Sequence, residues 1–311
     1  DSAVTIYILI PILIIPQLLL SGVVISFDKF NPRVGAPGGI PVLGEMMASR
    51  WAFEAFMVTQ FKDNPLEKSF YKLDQQRAMA EYKRAYYIPA LESRLSYIGQ
   101  NQGQWRNASN AKMDEAFRLL RQEIGYELSA IGKDQFPVYD QLDRQSFDTA
   151  TYRATARLLG RLKSMYNRMH SEALTRKQAV IDSMTRTPEG AAALEAARLR
   201  YTNKTVTEMV ENTTDRVRIV AWDGELIQKI YPIYTDHHRP SHILDFRSNF
   251  YVPNKHFAGV LIDTLVFNIA VIWTMTLVLY CTLYFNVLGR LVHAWETRRK
   301  YRMRRKVANA G

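Results

Sequence analysis

The sequence predicts a mainly α protein in which two transmembrane helices flank a large, mostly helical extracytoplasmic domain. Three observations predict it. Ala3 to Phe27 and Thr264 to Gly289 are blocks of 25 and 26 residues without a charge. As helices they reach roughly 37 to 39 Å, more than the ~30 Å hydrocarbon core requires. The residues between the blocks are polar and carry long runs of helical periodicity. Beyond the second block, Arg290 to Lys306 holds eight basic residues against Glu296 alone, a net +7. With 47% hydrophobic and 23% charged residues, the chain is not a disordered one.

Residues 1–27 form the first expected span. A secretory signal peptide is excluded by its length, its lack of a basic leader and the lack of a small-residue cleavage site before Asp28. Pro11, Pro16 and Gly22 punctuate it, and a proline-broken membrane helix needs neighbouring helices to satisfy the freed carbonyls. The start at Asp1, without a methionine, leads to the expectation that further polypeptide precedes it.

Residues 28–73 are expected to form an outer connector. Asn31 to Pro41, with three glycines among its prolines, excludes regular structure. Val42 to Phe61 reads as a helix apolar around most of its circumference, interrupted by Glu45, Arg50 and Glu54, and so re-entrant or interfacial, with Trp51 at headgroup level. Residues 74–214 form the helical domain, with helices expected at Asp74–Ile98, Asn110–Ile131, Ser146–Thr185 and Pro188–Thr213. The third has one apolar stripe from Tyr152 to Met184, Ser146 is expected to cap it, and Pro188 suits the first turn of the fourth. Residues 215–258 return to the membrane, with a short strand expected at Arg216–Trp222. Residues 259–288 form the second span and 289–311 the basic tail.

The charge distribution orients the chain. A short basic tail beside a span stays in the cytoplasm, whereas a long loop crosses largely regardless of charge. Residues 28–258 therefore lie outside. Beside a span, the basic tail anchors to anionic lipid, and no nucleic-acid partner is expected. Cys281 is the only cysteine, so the outer domain must be held by its own core.

Chemical motifs are sparse. Asp236-His237-His238-Arg239-Pro240-Ser241-His242 gathers metal-ligand types, but its spacing fits no zinc signature and a solvated loop is expected. Glu92, Glu123 and Glu127 are expected on polar helix faces opposite basic residues. There is no nucleophile elbow and no G-x-x-x-x-G-K-[ST] loop, so no catalytic site is expected in this segment. The sequons at Asn107, Asn203 and Asn212 are near chance frequency. Asp263, the only charge at the start of the second span, reads either as a carboxylate reaching the interface or as a polar pore contact together with Asn268. Arg50 and Glu54, one turn apart, read either as a structural ion pair or as a gating pair.

Two groups of residues carry a resemblance. Ile8-Leu9-Ile10-Pro11 to Pro16-Gln17-Leu18-Leu19-Leu20-Ser21-Gly22, followed by Ser49-Arg50-Trp51-Ala52-Phe53-Glu54-Ala55, is similar to the fifth span and re-entrant helix of G-type ABC exporters, the white and pleiotropic-drug-resistance architecture. Leu244-Asp245-Phe246-Arg247 through Trp273-Thr274-Met275-Thr276-Leu277 to Tyr284-Phe285 resembles the C-terminal end of Bacteroidetes-type ATPase–permease fusions. The resemblance implies a bacterial inner-membrane exporter and a second permease half, as homodimer or heterodimer. It also implies an ATPase domain outside this segment, which binds ATP and magnesium. On this reading Pro16, Ser21, Gly22, Arg50, Glu54 and Asp263 are the gate or translocation candidates, and the outer domain caps the exit or docks a periplasmic partner. The alternative is a membrane-anchored extracytoplasmic scaffold without transport.

Overall fold

The computed structural model describes residues 3–23, 27, 39–105, 110–235, 243, 245–287 and 289–290. The basic tail beyond residue 290, the connector at 28–38, the Asp236–His242 loop and the Asn107 sequon lie outside the described residues. Among the described residues the chain is mainly helical, and one helix is long and apolar enough to cross a membrane.

Helix α1 spans Ala3–Leu19 and keeps both Pro11 and Pro16 inside it. It stops short of the expected Phe27. Leu20 N–H still reaches the Pro16 carbonyl at 2.9 Å, but the Ser21 hydroxyl then donates to Leu18 O and accepts from Val23 N–H. Gly22 sits at φ +82°, which ends the helix. Its 17 residues reach about 26 Å, less than a full hydrocarbon crossing.

The single helix expected over Val42–Phe61 is two. Helix α2 is Val42–Glu45 and α3 is Ala48–Lys62, separated by Met47 in extended conformation. Trp51 is 2% exposed rather than at a surface: its indole N–H donates to Glu45 O at 2.9 Å, and its ring meets Phe246 and Phe267.

The helix expected from Asp74 begins earlier, as α4 (Glu67–Tyr82), and continues through a π turn at Lys83–Tyr87 into α5 (Ile88–Gln100). Pro89 accounts for the π turn: its ring would clash with the carbonyl four residues back, and the widened turn moves that carbonyl aside. Helix α6 (Ala111–Ile131) matches its expected span and is capped by Asn110, whose side chain accepts from Met113 N–H. Helix α7 (Thr149–Met184) starts three residues after Ser146, because Asp148 is the cap, accepting from Thr151 N–H at 2.7 Å. The last predicted helix breaks into α8 (Pro188–Tyr201) and α9 (Lys204–Glu211), where Thr202 is extended and Asn203 caps a new start.

Two hairpins follow. Strand β1 is Ile219–Trp222 and pairs antiparallel with β2, Glu225–Gln228. Asp223 and Gly224 both have positive φ, the two-residue turn that matches strand twist. Strands β3 (Asn254–Phe257) and β4 (Val260–Asp263) repeat the device through Ala258 and Gly259. Helix α10, Thr264–Tyr284, begins directly after β4, so residues 260–263 are strand where the second span was expected.

The main core joins α5, α6 and α7 around Ile88, Leu91, Leu120, Ile124 and Leu159, with the β1–β2 hairpin packed on it. A second core joins α3 to α9 and Tyr234, and a third joins the start of α4 to α8. Helices α4–α5 and α7 run antiparallel, tied by Lys177 to Asp74 at 2.7 Å, His170 to Glu81 at 3.2 Å and Lys163 to Glu92 at 2.9 Å.

Candidate functional site

The charges of α3 converge on one buried cluster. Arg50 and Glu54 fall on one face of the helix at i,i+4 spacing, and Arg50 Nη1 lies 3.2 Å from Glu54 Oε2. Lys255, carried in by β3, donates to Glu54 Oε1 at 2.6 Å and to Ser248 Oγ at 2.8 Å. Asn268, one turn into α10, donates to Glu54 Oε2 at 3.0 Å and to Trp51 O at 2.9 Å. Glu45 adds a second carboxylate, 3.3 Å from Arg50 Nη2. Arg50, Glu54, Lys255 and Asn268 are each at most 1% exposed. The two cations and two anions leave no net charge, which is how four ionic groups are accommodated away from water.

Glu45 Oε2, Arg50 Nε and Asn268 Oδ1 make no hydrogen bond to any described residue.

Aromatic side chains enclose it. The Arg50 guanidinium lies 3.7 Å from the Trp51 ring centroid and 5.7 Å from that of Phe250. Phe250 reaches the turn after α1, where a Cβ on Gly22 would lie 2.8 Å from both Phe250 and Phe27. Ser49 Oγ donates to Gln17 O at 2.7 Å, a second tie between α3 and the end of α1.

Of the predicted site residues, the structure therefore brings Gly22 and Arg50 to opposite contacts of Phe250, with Glu54 paired to Arg50. Ser21 is buried beside Gly22 and spends its hydroxyl on closing α1, and Pro16 accepts the last turn's hydrogen bond. Asp263 stands apart: it caps α10 by accepting from Leu265 N–H and pairs with Lys62. Lys255 and Ser248 had no sequence signal beyond a lone lysine shortly before an uncharged block. Pairing them with Glu54 requires contacts across some 200 positions.

The carboxylates expected on polar faces divide. Glu92 is partly exposed and paired with Lys163, as expected. Glu123 and Glu127 are buried, a correction to the helix-face reading. Glu123 accepts from Leu226 N–H at 2.7 Å and Tyr87 Oη at 2.8 Å; Glu127 accepts from Tyr166 Oη at 2.6 Å and pairs with Lys83. Burial, then Glu127, pushes the Tyr166 phenol up. Each carboxylate oxygen has a donor, so the pair fastens the π turn, α6, α7 and the β1–β2 hairpin rather than presenting a reacting group. Among the described residues, no group of three His, Cys, Asp or Glu side chains is placed to hold a metal ion.

Comparisons with protein-family models, curated proteins and solved structures find no match for the chain.

Proposed function

We propose that the chain is the membrane-embedded end of an ATP-driven exporter permease, with α1 and α10 in the bilayer, α3 re-entrant between them and the α4–α9 body outside. The observation that carries the reading is the docking of α3. Lys62 meets the cap of α10, while Trp51 and Glu54 meet Asn268 five residues further along, so α3 runs antiparallel to α10 with its N-terminal end the deeper one. A helix with Arg50 and Glu54 at that depth is tolerated only if both are paired and enclosed. The exposed apolar surfaces agree with lipid or neighbouring helices around them: Ile12, Leu13 and Ile15 on α1, Val266, Leu277 and Leu283 on α10.

In this reading ATP is hydrolysed in a domain outside the segment, and a second permease half completes the pathway. Alternating access needs a place where helix motion becomes opening on the outer side. The Ser21–Gly22 break moves against Phe250, and Phe250 lies on Arg50, so displacement of α1 reaches the charge cluster and through it α10.

Transport and ATPase activity of the full-length protein test the proposal. Gly22→Leu and Glu54→Ala should lower transport while leaving basal ATP hydrolysis largely intact. Wild-type transport in both variants removes the coupling role. Absence of any nucleotide-dependent transport in the unaltered protein favours the anchored scaffold.

A further inference from the structure

A cavity lies away from the charge cluster, beside α7. It is a groove of about 1090 Å³ between α7 and the segment after α6, running from Ala154 to Glu172. Its floor is apolar, made by Phe136, Val138, Met165 and Met169, while Arg157, Arg161 and Arg168 line the rim against Glu172 alone. Arg161 donates to Gln135 O at 2.9 Å, holding the two walls together. Arg157 and Arg168 are exposed, and no hydrogen bond or ion pair joins either to another described residue. Gly160 stands among them in mid-helix, where a Cβ would meet nothing within 4 Å. Glycine there costs about 1 kcal/mol relative to alanine, and no packing within the chain requires it.

We infer that this groove docks an acidic amphipathic helix of a partner protein, held by apolar side chains on its floor and by carboxylates opposite Arg157, Arg161 and Arg168. The groove follows α7 for about 27 Å, room for some five helical turns. The arginines recur at spacings of four and seven, the spacing at which one helix face presents its residues. Two adjacent methionines give a floor that adapts to a partner's side chains, and the notch at Gly160 lets a second helix axis approach closely. A flat bilayer surface cannot enter a concave groove, which favours a protein over a lipid surface. The inference rests on the permease reading only in placing the α4–α9 body outside the membrane.

The experiment is fluorescence anisotropy of the full chain in zwitterionic-lipid nanodiscs with three probes. These are a labelled 18-residue amphipathic helix with glutamates on its polar face, its lysine counterpart, and vesicles containing phosphatidylglycerol. The acidic helix should bind saturably, more weakly as salt rises, while the lysine helix does not. Arg157→Glu with Arg168→Glu should weaken binding about 10-fold or more. Gly160→Leu should do the same by filling the notch, and its gain in helix propensity keeps the fold intact, which unchanged thermal unfolding checks. No saturable binding of the acidic helix, equal binding of the lysine helix, or unchanged affinity in both variants overturns the inference. Vesicle binding lost in the double variant, without peptide binding, overturns it in favour of lipid. Transport and ATPase activity are not read here, so the docking site and the permease reading fail separately.

Discussion

Replacing Lys255 by methionine removes the ammonium that donates to Glu54 at 2.6 Å and to Ser248 at 2.8 Å, while keeping most of the side chain's volume. The site is 1% exposed, so water does not take over the lost bonds. Glu54 keeps Arg50 and Asn268, but the cluster changes from neutral to a net charge of −1. Removing one partner of a buried pair costs about 3–5 kcal/mol. At roughly 2–4 °C per kcal/mol for a body of this size, the unfolding midpoint of the full chain in micelles should fall by about 6–20 °C. Glu54→Met should cost a similar amount, because it strands Lys255. The double variant Glu54→Met/Lys255→Met leaves Arg50 with Glu45 at 3.3 Å and restores neutrality, so its loss should be smaller than that of either single variant. Circular dichroism during heating measures all three. A Lys255→Met midpoint within about 2 °C of the unaltered protein, or additive effects in the double variant, would refute the account of the cluster as a coupled buried unit.

Other consequences can be measured alongside. Asp148→Ala should destabilise α7 by about 1 kcal/mol through loss of its cap, whereas Ser146→Ala should stay within about 0.5 kcal/mol; equal effects in unfolding experiments would contradict the assigned cap. With Cys281 replaced, an impermeant thiol reagent should label a cysteine at position 163 and not one at position 300; the reverse pattern rules out the orientation.

The sequence was most informative where a local rule decides the outcome. The helix-forming run from Asn110 to Ile131 located α6 because that character is written in neighbouring residues. Thr187-Pro188 located the start of α8 for the same reason. Errors arose where two local signals competed. Ser146 and Asp148 are both good caps, and the hydrogen bond from Thr151 favours Asp148. Asp223-Gly224 marks the first hairpin in retrospect, but its partner strand lacks an alternation strong enough to announce itself.

The candidate site divides in the same way. The i,i+4 placement of Arg50 and Glu54 was legible because helix geometry alone puts them together. Whether they would face water or a partner was not, since Lys255 and Asn268 come from some 200 positions away. Likewise, helix-face patterning put Glu123 and Glu127 on a polar side, and only the packing of Tyr87, Tyr166 and the β1–β2 hairpin buried them. By itself the sequence determined a mainly helical chain with apolar blocks near its two ends, because hydropathy and period are sums over neighbouring residues. The tertiary structure decided which charges meet, where α1 ends against Phe250, and which face of α7 stays open. Each of these depends on desolvation by residues distant in sequence, and no local rule carries that information.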